Sequence, residues 1–280
     1  MTTIGIVGLG LIGGSLGLDL RSRGYEVLGV SRQERTCRIA VERGVADEAG
    51  LSLELLALAD IVFLCTPIAA IAPTLTQLLP YLSPETIVTD VGSVKTPIVQ
   101  ECCRLWPNFI GGHPMAGTAE QGIEYAQKGL FVNAAYILTP TKTTPPTASQ
   151  RVEEVARSLG CRIYLAAPEA HDRAVALISH LPVIVSASLI DACTSKTESE
   201  VLNLAQQLAS SGFRDTSRVG GGNPELGLMM AQYNRDALLR SLSLYRQSLD
   251  GFIAAIEQEN WDTIAKILQN TQQARSQFLQ

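Results

Sequence analysis

A chain of 280 residues, 46% hydrophobic and 18% charged, is too apolar for a disordered protein and long enough for two domains with cores of their own. Its formal net charge of −5 offers no basic surface to a nucleic-acid backbone, and three histidines are too few for a multi-histidine centre, so neither nucleic acid nor metal is expected. Six cysteines without a CxxC pair read as reduced thiols. With no basic or cleavable apolar leader and no run read as a bilayer-spanning segment, the expectation is a cytoplasmic protein without a membrane partner.

Residues 3 to about 166 alternate short apolar runs with helix-length amphipathic stretches. Strands are predicted at 4–7, 25–30, 61–65, 86–89, 109–110, 135–138 and 162–165, with a first helix over 12–23 ended by Gly24. Such alternation implies a parallel sheet covered on both faces, with right-handed crossovers. Beyond Pro168 the pattern is helical: 169–192, 198–211, a very long run from 223 to about 259, and 261–279. In the long run Leu238, Leu242, Tyr245, Leu249, Phe252 and Ile256 recur at three- and four-residue steps, a stripe that needs a partner surface from its own chain or from a second copy. The Thr- and Pro-rich 139–149 reads as a surface excursion, because 150–165 still completes the first sheet. The domains are therefore 1–167, α/β, and 168–280, all-helical.

The first strand runs into Gly8-x-Gly10-x-x-Gly13 at the opening of a helix. Gly8 permits the tight turn, Gly10 lets backbone approach a pyrophosphate, and Gly13 allows close helix–sheet contact; Leu11 and Ile12 complete the turn. This is a dinucleotide site. The second strand ends in Ser31-Arg32, followed by Arg35 and Thr36, where an acidic residue would read the 2′-hydroxyl of NAD. A hydroxyl and guanidinium there suit a 2′-phosphate, so NADP is expected over NAD; a solvated Arg32 serving either cofactor is the alternative. Cys65-Thr66-Pro67 borders the cleft or simply starts the next helix.

Two more segments leave strands at the same edge: Asp90 to Lys95 (DVGSVK) and Gly111 to Gly117 (GGHPMAG). Asp90 and Ser93 are placed beside the cofactor, and His113 with Ser93 near its nicotinamide. Oxidation of an alcohol needs a group to take the hydroxyl proton as hydride leaves, and an imidazole titrates close enough to neutrality to do so. Ser93 could also cap the helix starting near Lys95.

DVGSVK (90–95), GGHPMAG (111–117), LFVNAAYILTP (130–140), HD (171–172) and SHLP (179–182) together resemble the prephenate/arogenate dehydrogenase family of tyrosine biosynthesis, in order and across nearly the whole chain. The resemblance implies a Rossmann-type doubly wound sheet followed by a helical dimerisation domain, hence a homodimer. It implies oxidative decarboxylation of a cyclohexadienol, with His113 as base on the ring hydroxyl, Ser93 its hydrogen-bond partner and Arg218 a carboxylate anchor. His171, Asp172 and His180 read as structural. The chain departs from the family pattern at Val183, where His often follows SHLP, at Ala119-Glu120, where the acidic residue often comes one position earlier, and at Gly227, where Trp is common. Val183 and the NADP-type Arg32 favour arogenate over prephenate. A β-hydroxyacid dehydrogenase would want a catalytic lysine in the second domain, where Lys196 and Lys266 stand in no site-like context. A non-catalytic cofactor sensor would not need His113 and Ser93.

Overall fold

The computed structural model describes residues 2–118, 120–195 and 197–279; Ala119 and Lys196, weighed above, lie outside them. Eight strands, β1 (Thr3–Val7), β2 (Glu26–Val30), β3 (Glu48–Gly50), β4 (Ile61–Leu64), β5 (Ile87–Asp90), β6 (Phe109–Pro114), β7 (Ala135–Thr139) and β8 (Arg162–Leu165), form one sheet in the order β3-β2-β1-β4-β5-β6-β7-β8. β1 and β4 are buried along their whole length, as central strands covered on both faces must be.

Helices α1 (Leu11–Arg21), α2 (Glu34–Glu42) and α5 (Pro146–Ser158) cover one face, and α3 (Ile71–Leu78) and α4 (Thr96–Leu105) the other. Each face has its own core. Leu16, Leu20, Ala40, Val152 and Leu159 pack with Ile4, Ile6 and Phe63 on the first, and Ile71, Leu75, Ile98, Val99 and Cys102 with Val7, Val62 and Val88 on the second. The alternating pattern along 3–166 therefore does produce a doubly wound sheet.

The sheet is not wholly parallel, as the alternation had implied. β7 runs antiparallel to β6, and β8 follows β7 in parallel. Among the described residues, the chain between β6 and β7 holds no more than the 3₁₀ turn Ile123–Tyr125, and without a crossover helix it returns in the opposite sense. β6 also runs four residues past the predicted 109–110, because Gly111 and Gly112 stay extended and carry His113 into register with Ile137. The three-residue β3 is too short to be seen as a periodicity.

Beyond β8 the elements are helical: α6 (Pro168–Val175), α7 (Leu181–Ser195), α8 (Ser199–Leu208), α9 (Ser211–Ser217), α10 (Pro224–Tyr233), α11 (Arg235–Glu257) and α12 (Trp261–Arg275). A π-helical turn, Ala176–His180, joins α6 to α7. Taken as one stretch, Pro168–Ser195 is long and apolar enough, by length and composition, to cross a bilayer, contrary to the sequence reading. A count of uncharged residues misses it because Arg173 and Asp191 bracket the centre closely. Along it His171, Asp172, His180 and Ser186 are buried.

By compactness the chain divides into Met1–Asn234 and Arg235–Gln280, the latter built on α11 and α12. The predicted continuous helix from 223 is interrupted at Asn234, whose φ of −115° and ψ of 31° end α10.

Candidate active site

β1 runs into Gly8, whose φ of 98° is a left-handed conformation that a side chain would strain. A Cβ there would also lie 2.6 Å from the Cys65 carbonyl oxygen, just past the end of β4. At Gly13 a Cβ would meet the Gly8 oxygen at 2.0 Å, so α1 starts tight against the turn. Gly10 differs: a Cβ on it would meet nothing within 4 Å. It is the N-cap of α1, and no side chain caps that end, so the amides of Leu11, Ile12 and Gly13 lack intrahelical acceptors. Open space at an uncapped helix N-terminus suits a phosphate. Thr66 Oγ1, beside Gly8, is buried without a partner among the described residues. This cradle with its orphaned hydroxyl fits a dinucleotide pyrophosphate.

Beyond β2, the Ser31 amide donates to Gly50 O at 3.2 Å, and Ser31 Oγ accepts from the Gln33 amide at 3.3 Å. Arg32 is exposed and has no acidic partner among the described residues. Arg35 instead binds Glu124 at 2.9 Å, and Thr36 Oγ1 donates to Gln33 Oε1 at 3.4 Å. Glu124 lies in the 3₁₀ turn, which Arg43 holds by donating to Ile123 O and to Ala126 O.

β5 delivers Asp90 to the same edge, where it is fully buried with Lys95. Asp90 Oδ2 accepts from Lys95 Nζ and from the Gly92 amide at 2.8 Å, and Oδ1 accepts from the Gly112 amide at 3.2 Å. Lys95 Nζ also donates to Gly112 O at 2.7 Å. Burial lowers the Lys95 pKa against the opposing pull of Asp90. The pair ties the loop after β5 to the residue preceding His113.

His113 is 8% exposed, and its Nδ1 lies 2.8 Å from His171 Nε2, the rings meeting edge to face at 74°. His171 Nδ1 lies 2.8 Å from Asp172 Oδ1. The Asp172 carboxylate also accepts from the amides of Lys95 at 2.7 Å and Thr96 at 2.8 Å, capping α4 from α6. Burial opposes ionisation of Asp172, but hydrogen bonds from His171 and these amides outweigh it and lower its pKa. Asn234 Nδ2 donates to Asp172 O at 2.8 Å and to His180 Nδ1 at 3.1 Å, leaving His180 Nε2 buried and unpartnered among the described residues. Burial, then His171, Lys95 and His180, hold the His113 pKa well below its ordinary 6.5. A buried imidazole kept neutral at the carboxyl edge of the sheet, one loop from a nucleotide cradle, can accept a proton from an alcohol.

Two family models cover the chain: the nucleotide-binding domain of prephenate dehydrogenase matches residues 16–165, and its dimerization domain matches 167–270. The chain belongs to the prephenate dehydrogenase family. It is therefore an oxidoreductase of the prephenate/arogenate type. Among relatives of this family, the crystal structure of Synechocystis arogenate dehydrogenase shares 58% identity at a TM-score of 0.90, covering 99% of this chain and 100% of that one. Prephenate dehydrogenase from A. aeolicus, in complex with hydroxyphenyl propionate and NAD+, shares 28% identity at a TM-score of 0.94, over 99% and 98% of the two chains. Prephenate dehydrogenase of Bacillus subtilis is 30% identical over 98% of this chain and 75% of its own length.

Against this family background, some residues stand elsewhere than expected. Asp90, expected beside the cofactor, has its carboxylate buried in the ion pair with Lys95. Ser93 does not cap α4, a role Asp172 fills; its Oγ is buried without a partner among the described residues. Arg35 is engaged by Glu124. Arg218 follows α9, exposed and without an acidic partner among the described residues. Its segment is held to α7 by Ser186 Oγ, which donates to Thr216 O and accepts from the Gly220 amide, both at 2.8 Å. Val183 and Gly227, both departures from the family pattern, face each other: a Cβ on Gly227 would lie 3.7 Å from Val183 Cγ1. His171, Asp172 and His180 were read as structural and Asn234 was not weighed at all; the fold joins all four, with Lys95, around His113. One signal was available: the chain has three histidines and the fold gathers all of them.

Proposed function

We propose that the protein is an NADP-linked arogenate dehydrogenase that converts arogenate to tyrosine and carbon dioxide. The observation that carries this reading is His113, buried, held neutral, and with Nε2 unpartnered among the described residues. The bound oxidised nicotinamide would supply the hydride acceptor. His113 takes the ring hydroxyl proton on Nε2 as the carbinol C–H bond breaks. Cleavage of the ring carbon–carboxylate bond then returns its electrons to the ring, which becomes aromatic. Ser93, its hydroxyl otherwise unpaired, bonds the same oxygen, and Arg218 anchors a substrate carboxylate.

Gly8, Gly10, Leu11, Ile12 and Gly13 hold the pyrophosphate, with Cys65, Thr66 and Pro67 lining the cleft. Ser31 and the exposed Arg32 support a preference for NADP, Arg35 joining them on leaving Glu124. Arogenate is supported by the apolar Val183–Gly227 contact and by 58% identity to a protein named an arogenate dehydrogenase. We further infer a division near 167 between cofactor and helical domains, a homodimer through the latter, and a cytoplasmic location suited to six unpaired thiols.

The test is turnover of arogenate and prephenate with NADP and NAD, followed by absorbance of the reduced cofactor. A ketone in place of an ammonium leaves a buried partner unpaired at about 1–3 kcal/mol, so kcat/KM should favour arogenate by one to two decades. A guanidinium on the 2′-phosphate should favour NADP by a similar margin. Preference for prephenate overturns the substrate, and equal cofactor values overturn the role of Arg32.

A further inference from the structure

A neutral imidazole carries one N–H and one lone pair, and it can act as a base only through the nitrogen bearing the lone pair. In His113 the nitrogen without a partner is Nε2, and Nδ1 is committed to His171 Nε2 at 2.8 Å. Whether His113 can take a proton from substrate therefore depends on which of those two facing nitrogens holds the hydrogen. The distance does not say, but the far end of the chain does. Asp172 accepts backbone amides on both oxygens, Lys95 on Oδ1 and Thr96 on Oδ2, at the positive end of α4. A carboxylate so placed is ionised and has no proton to give, so the hydrogen between it and His171 sits on His171 Nδ1. In neutral His171 the lone pair is then on Nε2, which must accept from His113 Nδ1–H.

We propose that Asp172 and His171 are positioning residues that lock His113 in its Nδ1–H tautomer and so leave Nε2 free to receive the substrate proton. This rests on the reading of His113 as the base. All three side chains are buried, so bulk water cannot supply the alternative hydrogen bonds that would free the tautomer. Asn234 holds the arrangement from a third direction by donating to the Asp172 carbonyl and to His180. When His113 gains the substrate proton, its Nδ1–H remains with His171 and the His171 Nδ1–H with Asp172. The positive charge thus faces the carboxylate through one ring, with no proton moving along the chain. Asp172 has a second task as the cap of α4, so two roles must be separated in the test.

The decisive measurement is the imidazole 15N NMR spectrum of the full-length protein at neutral pH, with resonances assigned by His113→Asn and His171→Gln. The wild type should show His113 Nδ1 protonated and Nε2 unprotonated. Asp172→Asn retains the side chain's size and one oxygen for the helix amide, but its amide nitrogen donates to His171 Nδ1. The chain reverses, and the hydrogen of His113 moves to Nε2. Turnover should fall by about 10²–10⁴-fold, the range for lost acid–base catalysis, with KM and cofactor Kd little changed. His171→Gln offers an oxygen to His113 Nδ1–H and should retain more kcat than His171→Leu. A wild-type His113 protonated on Nε2 overturns the proposal. So does an Asp172→Asn variant with wild-type kcat, or one that loses kcat while the His113 signals stay put. If His113→Asn turns over normally, the base reading falls by that result, whereas the tautomer is read from the spectrum without reference to activity.

Discussion

His113 is buried beside His171, Lys95 and His180, so protonating it in the folded state adds a charge where solvent cannot screen it. In the unfolded chain it titrates near the ordinary 6.5, while the folded pKa lies well below that. Acid therefore protonates the unfolded chain first. Stability is complete above 6.5 and declines as pH falls from 6.5 toward the folded pKa; His180, lowered by burial to about 4, acts in the same sense. The melting temperature should be flat from pH 8 to 6.5 and drop below it, and His113→Asn should have a shallower acid slope. Equal slopes would remove His113 from the set of buried neutral groups. The same variant should lower kcat by about two to four decades while cofactor Kd holds, as loss of a general base requires. Arg218 carries a different prediction. Arg35 is paired with Glu124 and Lys95 with Asp90, so a substrate carboxylate calls for an anchor from the helical region. Arg218→Ala should weaken substrate binding by about 2–5 kcal/mol with unchanged cofactor affinity and circular dichroism. Arg218→Lys should recover part of it, a point charge replacing a two-pronged donor. Wild-type KM in the alanine variant would make Arg218 a surface cation.

β6 reaches its position through contacts that only glycine allows. A Cβ on Gly111 would lie 2.4 Å from Thr139 Oγ1, and one on Gly112 would lie 2.8 Å from the Asp90 carbonyl oxygen. β5 and β7 therefore close on both sides of the strand that carries His113. The Asp90–Lys95 pair then bolts the loop after β5 to Gly112 through both the carboxylate and the ammonium. Removing one partner of a fully buried pair strands the other charge, so Lys95→Met should cost about 3–5 kcal/mol in urea unfolding. Lys95→Met joined to Asp90→Leu should regain a large part, since two apolar side chains leave no charge behind. A Lys95→Met variant as stable as the wild type would show the pair to be incidental. A double variant no better than the single would show that the carboxylate is needed by the Gly92 and Gly112 amides instead.

Arg235–Gln280 presents large apolar side chains to solvent: Leu244, Leu249, Ile253, Ile256 and Leu268 are each between 45% and 58% exposed. So long an apolar surface suits burial against a partner, and it lies largely within the 167–270 match to a dimerization domain, so the homodimer proposed above is expected to form here. Leu249 and Ile253 are one helical turn apart on the same side of α11. Leu249→Arg together with Ile253→Arg should turn a sedimenting dimer into a monomer while the circular dichroism spectrum keeps its helical signal. A wild-type protein that sediments as a monomer, or a variant that stays dimeric, would move the interface elsewhere.

What the sequence by itself determined is whatever repeats locally or is forced by a single residue's geometry. Short continuous apolar runs with amphipathic helices between them specify a doubly wound sheet, because each hydrophobic face must be buried against the next element. Gly8, Gly10 and Gly13 specify the cradle, because the turn and the close helix need residues without side chains. The reversal of β7 was not legible, since it follows from the missing crossover helix among the described residues of the 115–134 connection. The interruption at Asn234 was not legible either: its neighbours keep helical spacing, and its side chain leaves the pattern to bind Asp172 and His180. That Asp90 pairs with Lys95 while the Ser93 hydroxyl stays unpartnered among the described residues was not legible, because it depends on side-chain direction. Only the tertiary structure joined His171 and Asp172 to His113, because partners so distant in the chain leave no spacing to read. It takes a folded interior, where a buried nitrogen must find a partner, to turn three scattered histidines into one site.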